Sequence, residues 1–213
     1  MSPTLKRSSQ QPPKGSSPSA GKGRRRGGWT QAKMREVAAE ERSELGLDVH
    51  DAFDPYALAD AHGIPVYSLT DLLERGLGAE AHEHFHASST QSWSAALIPL
   101  GSARVIVEND AHVSVRRRSN IAHELGHHLL EHSFDNVILG DDHKRQFDAT
   151  QERQAHFISG ELLIPDQAAR RAAFADWDNL RVAEAFNVSP QFAQMRMAGA
   201  RVIAKRSATK RRY

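Results

Sequence analysis

The stretch His123-Glu124-Leu125-Gly126-His127 decides how the rest of this chain is interpreted. Positions i and i+4 of a helix lie one turn apart on the same face, so two imidazoles at this spacing can bind one metal ion. The glutamate lies beside that face and can reach a water on the metal without being a ligand. Zinc with three protein ligands lowers the pKa of its water towards about 7, and a carboxylate can then accept the proton as the water attacks a carbonyl. The motif predicts a zinc-dependent hydrolase, most often of peptides, with Glu124 as catalytic base.

The flanks of the motif predict a partly buried helix over about residues 117–132. Apolar residues recur there at helical spacing, namely Ile121, Ala122, Leu125, Leu129 and Leu130. Gly126 is unfavourable in a helix by roughly 1 kcal/mol relative to alanine. A glycine between two metal ligands is therefore better explained by close packing of another element against the helix.

A catalytic zinc site needs a third protein ligand, and the sequence downstream offers several. The candidates are His128, His132, Asp135, Asp141, Asp142, His143, Asp148, Glu152 and His156. His128 lies about 100° round the helix from His127 and is expected to face away. Glu152 begins a second amphipathic helix that ends before Pro165. A glutamate on a helix opposite the first would complete a His2Glu set, which is a standard catalytic arrangement.

The remaining segments predict an α+β fold. Thr30 caps one helix and Asp54-Pro55 begins another, and both end near glycines. Short strands are expected over 64–67, 93–99 and 104–108, the last two as a hairpin. This small mixed or antiparallel sheet would pack on the active-site helix, and its edge would either bind an extended substrate or simply complete the sheet. Helices over 166–174, 178–186 and from 190 to about 205 form a helical C-terminal part.

Composition divides the chain into a folded domain with two tails. Seven of the 28 basic residues lie within residues 1–28, where no acidic residue occurs. That segment is rich in Ser, Pro and Gly, which predicts a disordered basic tail that is either a solubilising leader or a weak nucleic-acid contact. We expect the metallopeptidase domain over 29–204 and a second basic tail over 205–213. The chain has no cysteine and no apolar run as long as a membrane span, which favours a soluble, cytoplasmic protein.

Three further features have both a functional and a purely structural interpretation. His82, His84 and His86 alternate as they would along an extended segment. They are either solvated or metal ligands, or else His84 or His86 folds over the zinc and stabilises the transition state. The triplet Arg116-Arg117-Arg118 is typical of a solvated basic face, and its alternative role is to bind an acidic partner or substrate. Residues 182–189, followed by a helix, superficially resemble a helix-turn-helix, although their apolar positions favour a role in the core.

Several motifs together resemble the ImmA/IrrE family of metallo-endopeptidases. They are Ala122–His127, the upstream run Val105–Asn109, and Glu152–His156 running into Leu162–Pro165. The resemblance covers about residues 54–200. It implies a gluzincin-like zinc peptidase in which His123, His127 and Glu152 bind zinc and Glu124 is the base. Relatives of this kind cleave DNA-binding repressors, typically of the helix-turn-helix type, and so relieve repression.

The chain departs from this family one turn after the third ligand. The family usually has Asn or Asp where this chain has His156, and Ile158-Ser159 replaces a Phe-Ala pair. A histidine at that position can accept, donate or bind metal. The alternative to the peptidase hypothesis is a non-catalytic regulator that binds DNA or a repressor and has a structural metal site. A third possibility is a partner or toxin–antitoxin component that retains the fold without turnover.

Overall fold

The computed structural model describes residues 28–88, 93–132 and 148–210. The helices are α1 (Gln31–Glu44), α2 (Pro55–Ala61), α3 (Leu69–Glu74), α4 (Ala79–Glu83), α5 (Ser114–Leu129), α6 (Ala149–Leu163), α7 (Asp166–Phe174), α8 (Asn179–Phe186) and α9 (Pro190–Lys210). The strands are β1 (Val66–Ser68), β2 (Ala95–Leu100) and β3 (Ala103–Glu108). The expected α+β class with a helical C-terminal part is confirmed.

Polar caps fix where the helices begin. The side chain of Thr30 accepts the N–H of Lys33, and that of Asp54 accepts the N–H of Tyr56, as the sequence predicted for these two caps. Asp148 caps α6 in the same way, because its carboxylate accepts the N–H groups of the next residues. This last cap sets the start of α6 so that Glu152 lies in its first turn.

The sheet has the order β1-β3-β2, with β1 parallel and β2 antiparallel to β3. Within the described ranges β2 is therefore an edge strand. Leu97 is paired with Ile106, whose N–H bonds to Pro65 on the opposite side of β3. The N–H of Asn109 donates to the carbonyl of Ser94, and from there every second residue of β2 bonds to β3. Leu97 lies three positions after Ser94, so its N–H points away from β3, off the free edge of the sheet.

Helix α5 lies at the centre of the molecule, between the sheet and α6. Ile121, Ala122 and Leu125 are fully buried on its inner side. Helix α6 packs against both α5 and α1, and it contributes buried Ile158, Leu162 and Leu163 to the same core. The two helices that carry the sequence motifs are thus held rigidly against each other by apolar burial.

The arginine triplet before the His123–His127 motif is not a solvated face. Arg117 donates two hydrogen bonds to the carboxylate of buried Glu108 at 3.1 and 2.5 Å. Arg118 is itself buried and donates to the backbone carbonyls of Phe53 and Asn187. The prediction failed because charge runs usually remain in water, whereas here the guanidinium groups satisfy buried acceptors and join the first turns of α5 to its neighbours.

The three alternating histidines are helical rather than extended. His82 lies in α4, and His84 and His86 lie in a π-helical turn, residues His84–Ser88, that continues from it. Gly78 immediately precedes the first residue of α4. The period-two pattern therefore does not place the three rings on one side, and only residues four apart share a face.

The ends of the chain depart from the expected tails in one respect. Helix α9 continues through Lys210, beyond its expected end near Lys205. Residues 1–27 and 211–213, with most of the predicted tails, lie outside the described residues. Four of the candidate ligands lie in another range outside the described residues, 133–147, namely Asp135, Asp141, Asp142 and His143. Among the helices that the structure does describe, none is sufficiently long and apolar to cross a membrane.

Candidate metal centre

Helix α5 brings the two histidines of the motif together. His123 and His127 lie one turn apart, and their Nε2 atoms are 3.2 Å apart. The rings are nearly perpendicular, with an interplanar angle of 78°. Because the lone pair of an imidazole nitrogen lies in the plane of the ring, two such rings can point their Nε2 atoms at one position.

The glycine of the motif allows α6 to approach α5 closely. A Cβ atom at position 126 would lie 2.9 Å from Cγ2 of Ile158 and 3.0 Å from the carbonyl oxygen of Ala155. These contacts are shorter than van der Waals packing permits, so a side chain at Gly126 would push the helices apart. The close packing expected from the sequence is therefore present, and α6 is its cause.

This approach places Glu152 against both histidines. Its Oε2 lies 3.2 Å from Nε2 of His123, and its Oε1 lies 3.4 Å from Nε2 of His127. A tetrahedral zinc site with bonds of about 2.0–2.1 Å has ligand atoms separated by about 3.3–3.4 Å. The three donor separations match this value, and two imidazoles with a carboxylate are a suitable donor set for zinc. The residues therefore fit a divalent metal ion.

The surroundings of His123 keep its imidazole neutral. Burial lowers the pKa of His123 to about 3, and the neighbouring His127, His156 and His132 lower it in the same direction. A neutral imidazole at neutral pH has a lone pair for coordination, whereas an imidazolium does not.

A hydrogen-bonded chain behind His127 defines which of its nitrogens carries the proton. Nδ1 of His127 lies 3.0 Å from Nδ1 of His132, whose Nε2 lies 3.0 Å from Oε1 of Gln154. A carbonyl oxygen can only accept, so His132 donates from Nε2 and accepts at Nδ1. His127 must then donate from Nδ1, which leaves the lone pair of its Nε2 directed towards Glu152.

Glu124 is bound by the sheet. Its Oε2 accepts the N–H of Leu97 at 2.8 Å, the amide that points off the free edge of β2. The carboxylate is thereby held between the metal motif and the edge strand. This is a suitable place for a base that acts on a substrate lying along that edge.

The other candidate ligands lie elsewhere or have other contacts. His128 faces away, as expected, and its Nε2 is 3.3 Å from Nδ1 of His62. His132 lies behind His127 in the chain just described, and Asp148 caps α6. The exposed His156 lies beside the centre, with its ring centroid 4.5 Å from that of His123.

Sequence reasoning missed Gln154 and the part played by the run Val105–Asn109. Glutamine is common on helix surfaces, so only its position two residues after Glu152 hinted at a role. Glu108 at the end of that run accepts hydrogen bonds from Tyr56 and Arg117, which ties β3 to α2 and α5. Burial, and then the bond to Glu108, raise the pKa of Tyr56 well above its usual range. This network fixes the start of α5, the helix that carries His123 and His127.

Comparison with protein families identifies the chain's relatives. The family model described as Peptidase_M78, IrrE N-terminal-like domain, matches residues 59–198. No curated protein matches the chain significantly. The matched range contains the whole sheet, α5 and α6, and it confirms the resemblance inferred from the motifs. Because the match covers well over half of the 213 residues, the chain belongs to the Peptidase_M78 family of IrrE N-terminal-like domains.

Proposed function

We propose that this chain is a zinc-dependent endopeptidase that cleaves a DNA-binding transcriptional repressor in the cytoplasm. Family membership supports a peptidase with a protein substrate. The observation that carries the zinc assignment is the convergence of His123, His127 and Glu152, whose donor atoms lie 3.2–3.4 Å apart. The repressor as substrate is supported by the family resemblance and is the part that most needs a direct test.

The residues around the centre divide the chemical work between them. Zinc, when bound, lowers the pKa of a water and polarises a carbonyl. Glu124 accepts the proton of the attacking water and returns it to the leaving amine. The N–H of Leu97 holds Oε2 of this carboxylate at 2.8 Å and so orients it, while Gln154 and His132 hold His127 in its metal-binding tautomer.

The edge of β2 provides a binding surface for an extended peptide. The backbone groups of Ala95, Leu97 and Pro99 point off the edge, because the alternate residues bond to β3. Proline has no N–H and the N–H of Leu97 is bonded to Glu124, so the strand offers a peptide mainly its backbone carbonyls and the N–H of Ala95. Backbone pairing gives affinity with little demand on sequence, which suits an enzyme that cuts an exposed or unfolded segment of another protein.

Mass spectrometry of cleavage products tests this function. The zinc-loaded protein and its Glu124→Gln variant are incubated with helix-turn-helix repressors encoded beside its gene and with a peptide library. We expect new termini with the parent protein and none with Glu124→Gln, which should keep its zinc because Glu124 is not a ligand. Glu184→Gln, an exposed glutamate on α8, is the matched control and should cleave normally. Normal cleavage by Glu124→Gln would refute the mechanism.

A further inference from the structure

Helix α6 presents a second pair of metal-binding residues to the centre. Glu152 and His156 are separated by four positions, so they lie one turn apart on the same face of α6. Helix α5 presents His123 and His127 with the same spacing. The two helices cross closely at Gly126, and each therefore supplies an i, i+4 pair to the space between them.

His156 lies within coordination range of this centre. One ligand atom from each of His123, Glu152 and His156 lies within 4.8 Å of the other two. The imidazole of His156 is inclined by 50° to that of His123, with the ring centroids 4.5 Å apart. The two rings are therefore adjacent without being stacked face to face.

His156 does not act as a hydrogen-bond acceptor for its neighbour. Nδ1 of His123 is buried and has no hydrogen-bond partner among the described residues. A side chain that fixed the tautomer of His123 would accept from this atom, as His132 does for His127. Because His156 leaves that role unfilled, its position beside the donor atoms points to contact with the metal itself.

We propose that His156 is a fourth, removable ligand of the metal. The inference rests on the metal centre of the proposed function. Three imidazoles and one carboxylate fill the four positions that zinc usually uses, so the resting centre would have no position for a catalytic water. His156 is exposed whereas His127 is buried, so His156 is the ligand that can leave when a substrate binds. The centre would then be closed at rest and opened by substrate.

X-ray absorption at the zinc edge counts the imidazoles on the metal. The full-length protein is loaded with one zinc per chain and compared with His156→Asn and with the control His50→Asn. His50 is exposed and contacts Arg171, away from the centre. We expect three imidazoles in the parent and in the control but two in His156→Asn. Zinc affinity should fall at least about tenfold in that variant, as it does when even an outer contact of a metal site is lost.

Cobalt substitution supplies an independent readout. A four-coordinate Co²⁺ centre absorbs strongly in the visible range, and replacement of the His156 imidazole by water in His156→Asn should change the position and intensity of this band. Two imidazoles in the parent, or three in both proteins, would overturn the proposal. Failure of the proposed function gives a different pattern, in which the parent binds no stoichiometric zinc or Glu152→Ala leaves the zinc content unchanged.

Discussion

Two histidine pairs in this protein have the same spacing but different surroundings. His123 and His127 on α5 have ring centroids 4.8 Å apart, and His82 and His86, in α4 and the turn that follows it, have centroids 4.7 Å apart. The first pair is nearly perpendicular at 78°, whereas the second is stacked at 19°. Lone pairs in parallel ring planes do not meet at one position between the rings. Spacing alone therefore does not make a metal site.

The acidic partners of the two pairs differ as well. Glu152 contacts both histidines of α5, at 3.2 and 3.4 Å. Asp110 lies 3.8 Å from Nε2 of His86, and its other oxygen accepts a hydrogen bond from Thr70 at 2.6 Å. A carboxylate supplied by a tightly packed opposing helix thus distinguishes the proposed metal centre from a surface cluster of the same composition.

Removal of the acidic partner should have the largest effect. We expect Glu152→Ala to lose stoichiometric zinc, because the change removes the carboxylate that contacts both His123 and His127 and leaves only the exposed, removable His156 as a third ligand among the described residues. The matched change Asp110→Ala should keep about one zinc per chain. Elemental analysis of both purified variants measures this directly. Zinc loss in Asp110→Ala together with retention in Glu152→Ala would reverse the assignment of the two clusters.

The hydrogen-bonded chain behind His127 predicts the next largest effect. Gln154→Met removes the acceptor for His132 and should weaken zinc affinity by about 10–100-fold, the usual consequence of losing an outer contact. Gln154→Glu keeps an acceptor and should bind zinc nearly as the parent does. Competition with a chromophoric chelator measures the affinity, and ¹⁵N NMR of the imidazoles reports the tautomer. If Gln154→Met kept His127 protonated at Nδ1 with unchanged affinity, Gln154 would not set the tautomer.

The close crossing of the two helices predicts a loss of stability. Gly126→Ala gains helix propensity of up to about 1 kcal/mol but overpacks α6, which typically costs about 1–3 kcal/mol. With the full gain in propensity, we expect a net decrease in the free energy of unfolding of up to about 2 kcal/mol. Gly199→Ala is the control, because a Cβ there meets nothing within 4 Å and α9 should gain up to about 1 kcal/mol. Urea denaturation of the metal-free proteins compares them, and equal stabilisation of both variants would contradict a tight crossing.

The sequence predicted the parts of this molecule that depend on local pattern. The caps at Thr30 and Asp54, the hairpin of β2 and β3, and the position of α5 follow from neighbouring residues, so short-range rules sufficed. The proximity of Glu152 to the histidines was expected as well. That expectation came from the amphipathic pattern of α6 and from the family resemblance. Its geometry depends on packing between segments about 30 positions apart, which no local rule determines.

Long-range contacts also explain what the sequence did not predict. Arg118 becomes buried because carbonyls of Phe53 and Asn187, 65 and 69 positions away, accept its N–H groups. The amide of Leu97 and the carboxylate of Glu124 meet only once the sheet edge lies beside α5. In each case a polar group is satisfied by a distant partner, and the sequence near that group gives no sign of it.

Replacement of a histidine by phenylalanine should be tolerated in the stacked pair His82 and His86 but not in the proposed metal centre. Nε2 of His82 is buried and has no hydrogen-bond partner in the described part of the chain, so His82→Phe removes an unsatisfied nitrogen and keeps a ring against His86. Replacing such a group by an apolar one of similar shape is nearly neutral or stabilising, and we expect a change in unfolding free energy within about 1 kcal/mol. Zinc content should stay at about one per chain, whereas His123→Phe should abolish it. Urea denaturation and elemental analysis provide both values. A zinc deficit in His82→Phe would mean that the stacked pair, too, belongs to the metal centre.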